Sequence, residues 1–287
     1  MALTVKPLSK TFAAEVTGID IRQPLSQPAI TEILNCLSEH LVLVFPGQPM
    51  DDDQQIAFSQ IFGPLEMTRG ANPSKGTVFA RQSNIDIETG TTIDATDRRM
   101  HYQKANMLWH ADSSFKTIPS RCSVLTARVI PDEGGATEFA STRAAYESLT
   151  PAEQQALEGL IVEHSIVHSR RLVGFEFTEE EAASLPGARH LLVQTCPFTG
   201  RKSVMIGVHA KEIVGWPADK SRALLDDLLA RATRPENTYS HTWRTGDAVV
   251  WDNRAAVHRA TPYDGSKYRR LMQRTTISLG DAYQRVA

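Results

Sequence analysis

Residues 109–112 read Trp-His-Ala-Asp and residues 251–258 read Trp-Asp-Asn-Arg-Ala-Ala-Val-His, and these two segments decide how the whole chain is interpreted. His110 and Asp112 are separated by one residue, so on an extended stretch both side chains leave the same face. His258 is the candidate third ligand. Two histidines and one carboxylate on one side of an ion leave its other side open, as non-haem Fe(II) requires to bind an oxo-acid and O₂ together. The sequence therefore predicts a metal site at His110, Asp112 and His258.

The composition indicates a globular protein whose partner is a small molecule. Its hydrophobic content of 41% and charged content of 22% suit a chain with a sizeable core. A net charge of −2 argues against nucleic acid, since neutralising phosphates needs a basic surplus. The cysteines Cys36, Cys122 and Cys196 form no Cys-x-x-Cys pair and fit a reducing compartment. Because there is no signal-like segment and no run of about 18 apolar residues, we expect a cytoplasmic protein without a membrane partner. We also expect a homo-oligomer.

Many short strand-like segments and few helices predict a mainly β fold with flanking helices. Strands are predicted at 41–45, 77–81, 122–130, 137–139, 191–195, 203–207, 238–243, 248–251 and 270–278. Helices are predicted at 27–41, 51–62, 150–160 and 217–232. Because no βαβ alternation is visible, we predict one domain, 1–287, of the double-stranded β-helix (jelly-roll) type. The polar stretch 84–105 is expected to be a lid-like insertion, and 164–187 to be irregular.

The last predicted strand carries two arginines on one face. Arg270, Met272, Arg274 and Thr276 alternate along it, so their side chains share a side. A buried guanidinium is costly unless an anion meets it. Two inward arginines therefore predict two carboxylate-like groups, one on 2-oxoglutarate and one on the substrate. An exposed edge strand with solvated arginines is the alternative.

Together these features resemble the Fe(II)/2-oxoglutarate dioxygenases of the taurine dioxygenase group. The resemblance covers most of the chain, and within the group the chain is most similar to members that act on phenoxyacetates. The motifs that carry it are Leu43-Val44-Phe45 with Gly47-Gln48, Asp53-Gln54-Gln55-Ile56-Ala57-Phe58, Phe62-Gly63-Pro64-Leu65-Glu66, Trp109-His110-x-Asp112, Gly134-Gly135-x-Thr137-Glu138-Phe139, Arg143-Ala144-Ala145-Tyr146, Gly200-Arg201-Lys202, and Trp251-Asp252-Asn253-Arg254 with His258. These motifs are specific for the group and less specific for the substrate.

The resemblance implies a role for each candidate residue. His110, Asp112 and His258 would hold Fe(II). Thr137 and the first arginine of the last strand would bind the far carboxylate of 2-oxoglutarate, with Trp251 also assigned to the co-substrate site. Asn106 would lie in the substrate pocket, and Arg274 would take the acidic group of the substrate.

The chain departs from the group at two positions. Relatives usually place the first strand arginine eleven residues after the distal histidine, which falls on Arg269 here. Face parity with Arg274 favours Arg270 instead. Relatives also commonly carry histidine shortly before Gly200-Arg201-Lys202, where this chain has Cys196, and this weakens any transfer of the exact substrate.

The implied reaction converts 2-oxoglutarate and O₂ to succinate and CO₂ while an anionic small molecule is hydroxylated. An aryloxyalkanoate of the phenoxyacetate type, cleaved at its ether, is the expected substrate. A taurine or alkylsulfonate dioxygenase that releases sulfite is the alternative within the group. Outside it, the same ligands with a bound water would suit a zinc hydrolase. A non-enzymatic jelly-roll protein that binds a metal or ligand is the last alternative, and it predicts a fourth protein ligand.

Overall fold

The computed structural model describes residues 3–68 and 76–280. The strands in these ranges are β1 (Thr4–Pro7), β2 (Ala14–Thr17), β3 (Val42–Phe45), β4 (Phe79–Ser83), β5 (Ser120–Val129), β6 (Thr137–Ser141), β7 (Ile161–His164), β8 (Ala188–Leu191), β9 (Val193–Thr195), β10 (Lys202–Val204), β11 (Ala210–Ile213), β12 (Thr238–His241), β13 (Ala248–Asp252), β14 (Ala256–Ala260) and β15 (Leu271–Ser278). The helices are α1 (Gln27–His40), α2 (Asp52–Gln60), α3 (Arg98–Gln103), α4 (Thr142–Glu147), α5 (Pro151–Leu157), α6 (Ile166–Arg171), α7 (Glu179–Ala183) and α8 (Ala218–Ala232), with 3₁₀ turns at Lys104–Met107 and Pro235–Asn237. Among the helices of this part of the chain, none combines the length and apolarity that crossing a bilayer needs.

The largest layer is a seven-stranded sheet in the order β1-β2-β3-β13-β5-β15-β4. Its neighbouring strands run antiparallel except for β2 and β3, which are parallel. A three-stranded sheet in the order β12-β6-β14 contains His258, which lies on β14. Two smaller antiparallel sheets have the strand orders β11-β7-β8 and β10-β9.

Alternation along the central strands sorts their side chains into two clusters. Val42 and Val44 of β3 belong to the cluster that contains Phe139 of the three-stranded sheet. Leu43 and Phe45 belong to a cluster with residues of α1 and α2. Because successive side chains of a strand leave opposite faces, one face of the large sheet packs on the small sheet and the other is covered by helices. This sandwich of two sheets with helices outside is the predicted jelly-roll arrangement.

The helix predicted from Thr150 begins with the expected capping box. The Thr150 hydroxyl accepts from the Glu153 backbone N–H, and the Glu153 carboxylate accepts from the Thr150 N–H. Such a cap contributes about 1 kcal/mol to the stability of the helix. The helix nevertheless ends at Leu157, before the predicted limit at 160.

Three local expectations differ from the structure. The stretch 164–187, expected to be irregular, contains α6 and α7, and α7 begins with a capping box between Thr178 and Glu181. The segment at His110 is not a regular strand, since only a single bridge joins it to His258. The insertion 84–105 contains α3 instead of being loop throughout. Helices of five or six residues leave too little periodicity to be recognised in one sequence.

Candidate active site

A pair of backbone hydrogen bonds brings the two halves of the candidate metal site together. The His110 N–H donates to the His258 carbonyl at 3.0 Å, and the His258 N–H donates to the His110 carbonyl at 2.8 Å. Asp112 then lies beside both rings, with Oδ1 3.9 Å from His110 Nε2 and Oδ2 3.8 Å from His258 Nε2. One donor atom from each residue lies within 4.8 Å of the others, and all three side chains are buried. The structure therefore brings together the three residues predicted from the motifs.

A small hydrogen-bond network fixes the position of Asp112. The Ser123 hydroxyl donates to Asp112 Oδ2 at 2.7 Å, and the Asp112 N–H donates to Asn253 Oδ1 at 3.0 Å. The Asn253 amide also donates to the Ser123 hydroxyl at 3.0 Å. Asn253 thus links the two sequence motifs, while Ser123 was missed. Strand β5 also carries Ser120 and Thr126, so the sequence alone contains no signal that distinguishes Ser123.

The protonation states of the three residues suit a divalent cation. Since the Leu108 carbonyl can only accept, His110 Nδ1 donates to it at 2.8 Å, which leaves Nε2 free as a ligand. Burial lowers the pKa of His110 to about 4, and burial also holds the pKa of His258 well below its usual value. Burial alone would raise the pKa of Asp112, but Arg274 and the two histidines lower it further than burial raises it. Two neutral imidazoles and one carboxylate form the facial donor set of non-haem Fe(II) sites.

Trp251 supports a metal ligand and offers no free polar atom to a co-substrate. Its ring is fully buried, with the His258 ring 4.5 Å away and the Phe139 ring 5.5 Å away. Its Nε1–H donates to Asn253 Oδ1 at 2.9 Å. Trp251 therefore packs against His258 with its polar atom already paired, and its assignment to the co-substrate site stays a prediction.

Arg270, and not Arg269, points into the protein. Arg270 is 5% exposed, and its Nη2 donates to the Gly135 carbonyl at 3.2 Å. Its Nε–H has no hydrogen-bond partner in the part of the chain that the structure describes. Burial lowers the pKa of Arg270 to about 10. Arg269 is exposed and donates to the Gly90 carbonyl. The face-parity argument thus selects Arg270, the buried arginine of the two.

Thr137 lies on the inner face of the three-stranded sheet, near the second histidine. On β6 and β14, Thr137 pairs with Ala260, and Phe139 pairs with His258. Residues two apart on a strand share a face, so Thr137 and His258 project to the same side. The Thr137 hydroxyl oxygen accepts from Trp243 Nε1 at 2.9 Å. Its own O–H remains available to donate to a carboxylate.

A cavity beside the metal ligands, here called the inner cavity, has a volume of about 130 Å³. Arg274 and Asn106, both predicted substrate residues, lie in its wall together with His110 and Asp112. The Arg274 Nη1 forms a short ion pair with Asp112 Oδ1. Apolar walls are supplied by Phe115, Ile166, Phe177 and Leu185. A wider cavity of about 610 Å³ shares several of these side chains with the inner cavity.

The sequence did not identify several polar residues of the inner cavity. Arg170 and Tyr102 line it, and so do Glu66 and Lys116, which form an ion pair with each other. Arg170 lies in the stretch expected to be irregular, and a single sequence contains no signal for its burial. Cys196, which stands where relatives commonly carry histidine, is not among the side chains that line this cavity in the described part of the protein.

Comparisons with known proteins agree with this site. Residues 4–276 match the model of the family described as taurine catabolism dioxygenase TauD, TfdA family. The alpha-ketoglutarate-dependent 2,4-dichlorophenoxyacetate dioxygenase of Cupriavidus pinatubonensis is 41% identical over 96% of this chain and 98% of that protein. The (S)-phenoxypropionate/alpha-ketoglutarate-dioxygenase of Sphingobium herbicidovorans is 35% identical over 96% and 95%. The expected similarity to phenoxyacetate-type relatives is thereby confirmed.

A solved structure confirms the fold class. The crystal structure of AAD-2 in complex with Mn(II) and N-oxalylglycine superposes with a TM-score of 0.91 at 36% identity, over 100% of both chains. A likeness over the whole length of both chains includes the sheets, the flanking helices and the region of the metal ligands.

Proposed function

Because the chain belongs to the TauD/TfdA family of dioxygenases, we propose that it oxidises an aryloxyalkanoate of the phenoxyacetate type, using Fe(II), 2-oxoglutarate and O₂. The dioxygenase class follows from membership of the family, and the substrate class is the proposal. One observation carries it: the inner cavity combines metal ligands, arginines and an apolar wall. An aromatic carboxylate matches all three features, and the names of the two relatives described above point to the same class.

The buried donor set fits Fe(II). His110, Asp112 and His258 would hold the ion on one side, and they leave coordination positions for a bidentate oxo-acid and O₂. Bound Fe(II) with 2-oxoglutarate supplies the activation of O₂ and the oxidation of an unactivated C–H bond. Ser123 donates to the Asp112 carboxylate and Asn253 accepts from the Asp112 backbone N–H, so together they would orient this ligand. Hydroxylation at the carbon beside the ether oxygen gives a hemiacetal, which collapses to a phenol and a carbonyl acid.

Arg270 and Thr137 are proposed to bind the far carboxylate of 2-oxoglutarate. The unpartnered Nε–H of Arg270 offers a charged donor in a buried site. The Thr137 hydroxyl adds a second donor once its oxygen has accepted from Trp243. Charged hydrogen bonds away from water are strong, and two of them fix the orientation of the co-substrate.

Arg274 and Asn106 are proposed to orient the substrate. Arg274 contacts Asp112 and lines the inner cavity, so it places a substrate carboxylate near the metal ligands. The aromatic ring would lie against Phe115 and Phe177, and its burial favours aryl over small hydrophilic acids. The carbon between ring and carboxylate then lies nearest the metal site.

We also propose that residues 84–105 act as a lid within a single domain. Asn84 anchors one end, because its side chain accepts from the Arg270 N–H at 2.8 Å and donates to two carbonyls of the segment before β15. Tyr102 lies in the wall of the inner cavity, and Asn106 follows just after the segment. A closed lid excludes water during the reaction. We also propose that the enzyme is a cytoplasmic homo-oligomer without a membrane partner. The net charge of −2 supports the absence of a nucleic-acid partner, because neutralising phosphates needs a basic surplus.

A taurine or alkylsulfonate dioxygenase is the second candidate, and one observation favours it. Glu66 Oε1 is buried without a hydrogen-bond partner among the described residues, so it could accept from the ammonium group of taurine. Lys116 already neutralises this carboxylate through Oε2. The apolar walls of the cavity also favour an aryl ring, so we rank this function second.

A panel of substrates separates the two candidates. The Fe(II) enzyme is supplied with 2-oxoglutarate and, separately, phenoxyacetate, phenoxyacetamide or taurine, and succinate, phenol and sulfite are measured. The proposal expects succinate and phenol with phenoxyacetate and little stimulation by the amide. Efficient sulfite release from taurine without phenol release from phenoxyacetate would establish the second candidate. Equal turnover of acid and amide would remove the role proposed for an anionic group.

A further inference from the structure

Arg170 is a buried cation for which the reaction described above has no use. It lies near the end of α6, is 6% exposed, and lines the inner cavity together with Arg274 and His209. Its Nε and Nη1 have no hydrogen-bond partner among the residues that the structure describes. The Tyr102 ring covers the guanidinium at 4.3 Å. A buried guanidinium with unsatisfied N–H groups is destabilising unless a ligand meets it.

The other cations of the inner cavity already have carboxylate partners. Arg274 forms its ion pair with Asp112, and Lys116 forms one with Glu66. Arg270 is not among the described side chains that line this cavity, and it donates to the Gly135 carbonyl. Within the described ranges, Arg170 is the cation in the wall of this cavity that forms no ion pair with the protein.

We propose that Arg170 binds the anionic group of the substrate and is a specificity-determining residue of this enzyme. The inference rests on the proposed function, and it adds a second cationic contact to that of Arg274. Arg274 divides its charge between Asp112 and the substrate, whereas the Nε–H and Nη1–H groups of Arg170 have no partner among the described residues and can donate to the substrate. The ligand is a monoanion, with a carboxylate as the favoured group, attached to an apolar body.

The surroundings of Arg170 make it sensitive to the proposed lid. Tyr102 belongs to α3, within the segment 84–105, and its ring also packs against Phe175 at 5.2 Å. The ring shields the guanidinium from water on that side. Charge-assisted hydrogen bonds strengthen when water is excluded, so the anion site is complete when α3 packs on the segment that follows α6.

The test compares Arg170→Met with Arg171→Met. Arg171 is the next residue of the same helix and is exposed, so its replacement controls for loss of charge and for helix effects. Binding of phenoxyacetate and phenoxyacetamide is measured by titration calorimetry on the anaerobic Fe(II)–2-oxoglutarate enzyme. Arg170→Met should raise the Kd of the acid about 10- to 150-fold, the loss expected for a hydrogen bond to a charged group. The Kd of the amide and of 2-oxoglutarate should stay within about twofold of the wild type, and Arg171→Met should behave as the wild type.

Each further outcome is decisive. Equal weakening of acid and amide would indicate a structural role for Arg170 and would overturn the inference, as would unchanged binding of the acid. Arg170→Lys provides the same test if the methionine variant does not fold, and it should give an intermediate Kd. Butanesulfonate and hexyl sulfate are titrated in parallel. If only these bind the wild type and Arg170→Met weakens them, the aryloxyalkanoate proposal fails and the Arg170 inference stands. If the wild type binds no anion, both fail.

Discussion

Replacing Arg270 by methionine should remove 2-oxoglutarate binding without weakening the unliganded protein. The pKa of Arg270 is lowered by burial from 12.5 to about 10. This shift means that the site destabilises the charged form of the side chain by about 3 kcal/mol. Methionine fills much of the same space and needs no anion. The free energy of unfolding of the unliganded variant should therefore equal or exceed that of the wild type.

The liganded protein should respond in the opposite way. Truncating one side of a buried charge pair costs about 3–5 kcal/mol, or roughly 150- to 4,000-fold in Kd. With Mn(II) and N-oxalylglycine at about 100 times its wild-type Kd, the wild type gains about 2.7 kcal/mol, and Arg270→Met gains less than about 0.5 kcal/mol. Thermal unfolding with and without the ligand measures both values. The control is Arg269→Met, because Arg269 is exposed. Loss of ligand stabilisation in Arg269→Met, with Arg270→Met unaffected, would refute the reasoning.

Two further predictions concern the metal ligands and the buried histidines. Ser123→Ala should weaken Mn(II) binding by about 10- to 100-fold, because the carboxylate of Asp112 loses its hydroxyl donor. Titration calorimetry measures the affinity, with Ser203→Ala as the control. An unchanged affinity of Ser123→Ala for Mn(II) would contradict this prediction. The unliganded protein should also lose stability as pH falls below 6.5, because burial lowers the pKa of His110 to about 4 and of His164 to about 3. The unfolded chain then binds more protons than the folded one. Each of these two histidines should therefore lower the free energy of unfolding by about 2 kcal/mol at pH 5. Urea unfolding at pH 7.5 and pH 5 measures the change, and constant stability would contradict it.

Local spacing predicted that two of the three candidate metal ligands lie close together. His110 and Asp112 were placed on one face by strand geometry, and they do meet His258, although the segment forms only one bridge and no regular strand. The convergence depends on a bridge between His110 and His258 and on the side chains of Ser123 and Asn253. Of these four residues, Ser123 is the one that lies outside the recognisable motifs.

Parity along β15 also predicted which arginine is buried. Arg270 and Arg274 were placed on the inner face, and the structure buries Arg270 while Arg269 is exposed. Arg170 was not predicted, for a physical reason. Its helix has only six residues, and its burial depends on Tyr102, which is distant in sequence. Tertiary packing of this kind leaves no periodic trace in the sequence.

The most direct test of the account is the stoichiometry of one reaction. The Fe(II) enzyme is given phenoxyacetate, 2-oxoglutarate and O₂, and the O₂ consumed, succinate formed and phenol released are counted in the same sample. The account predicts equal amounts of all three, and no phenol when zinc replaces iron or when His258 is replaced by alanine. Phenol release without consumption of O₂ and 2-oxoglutarate, or with zinc alone, would contradict it.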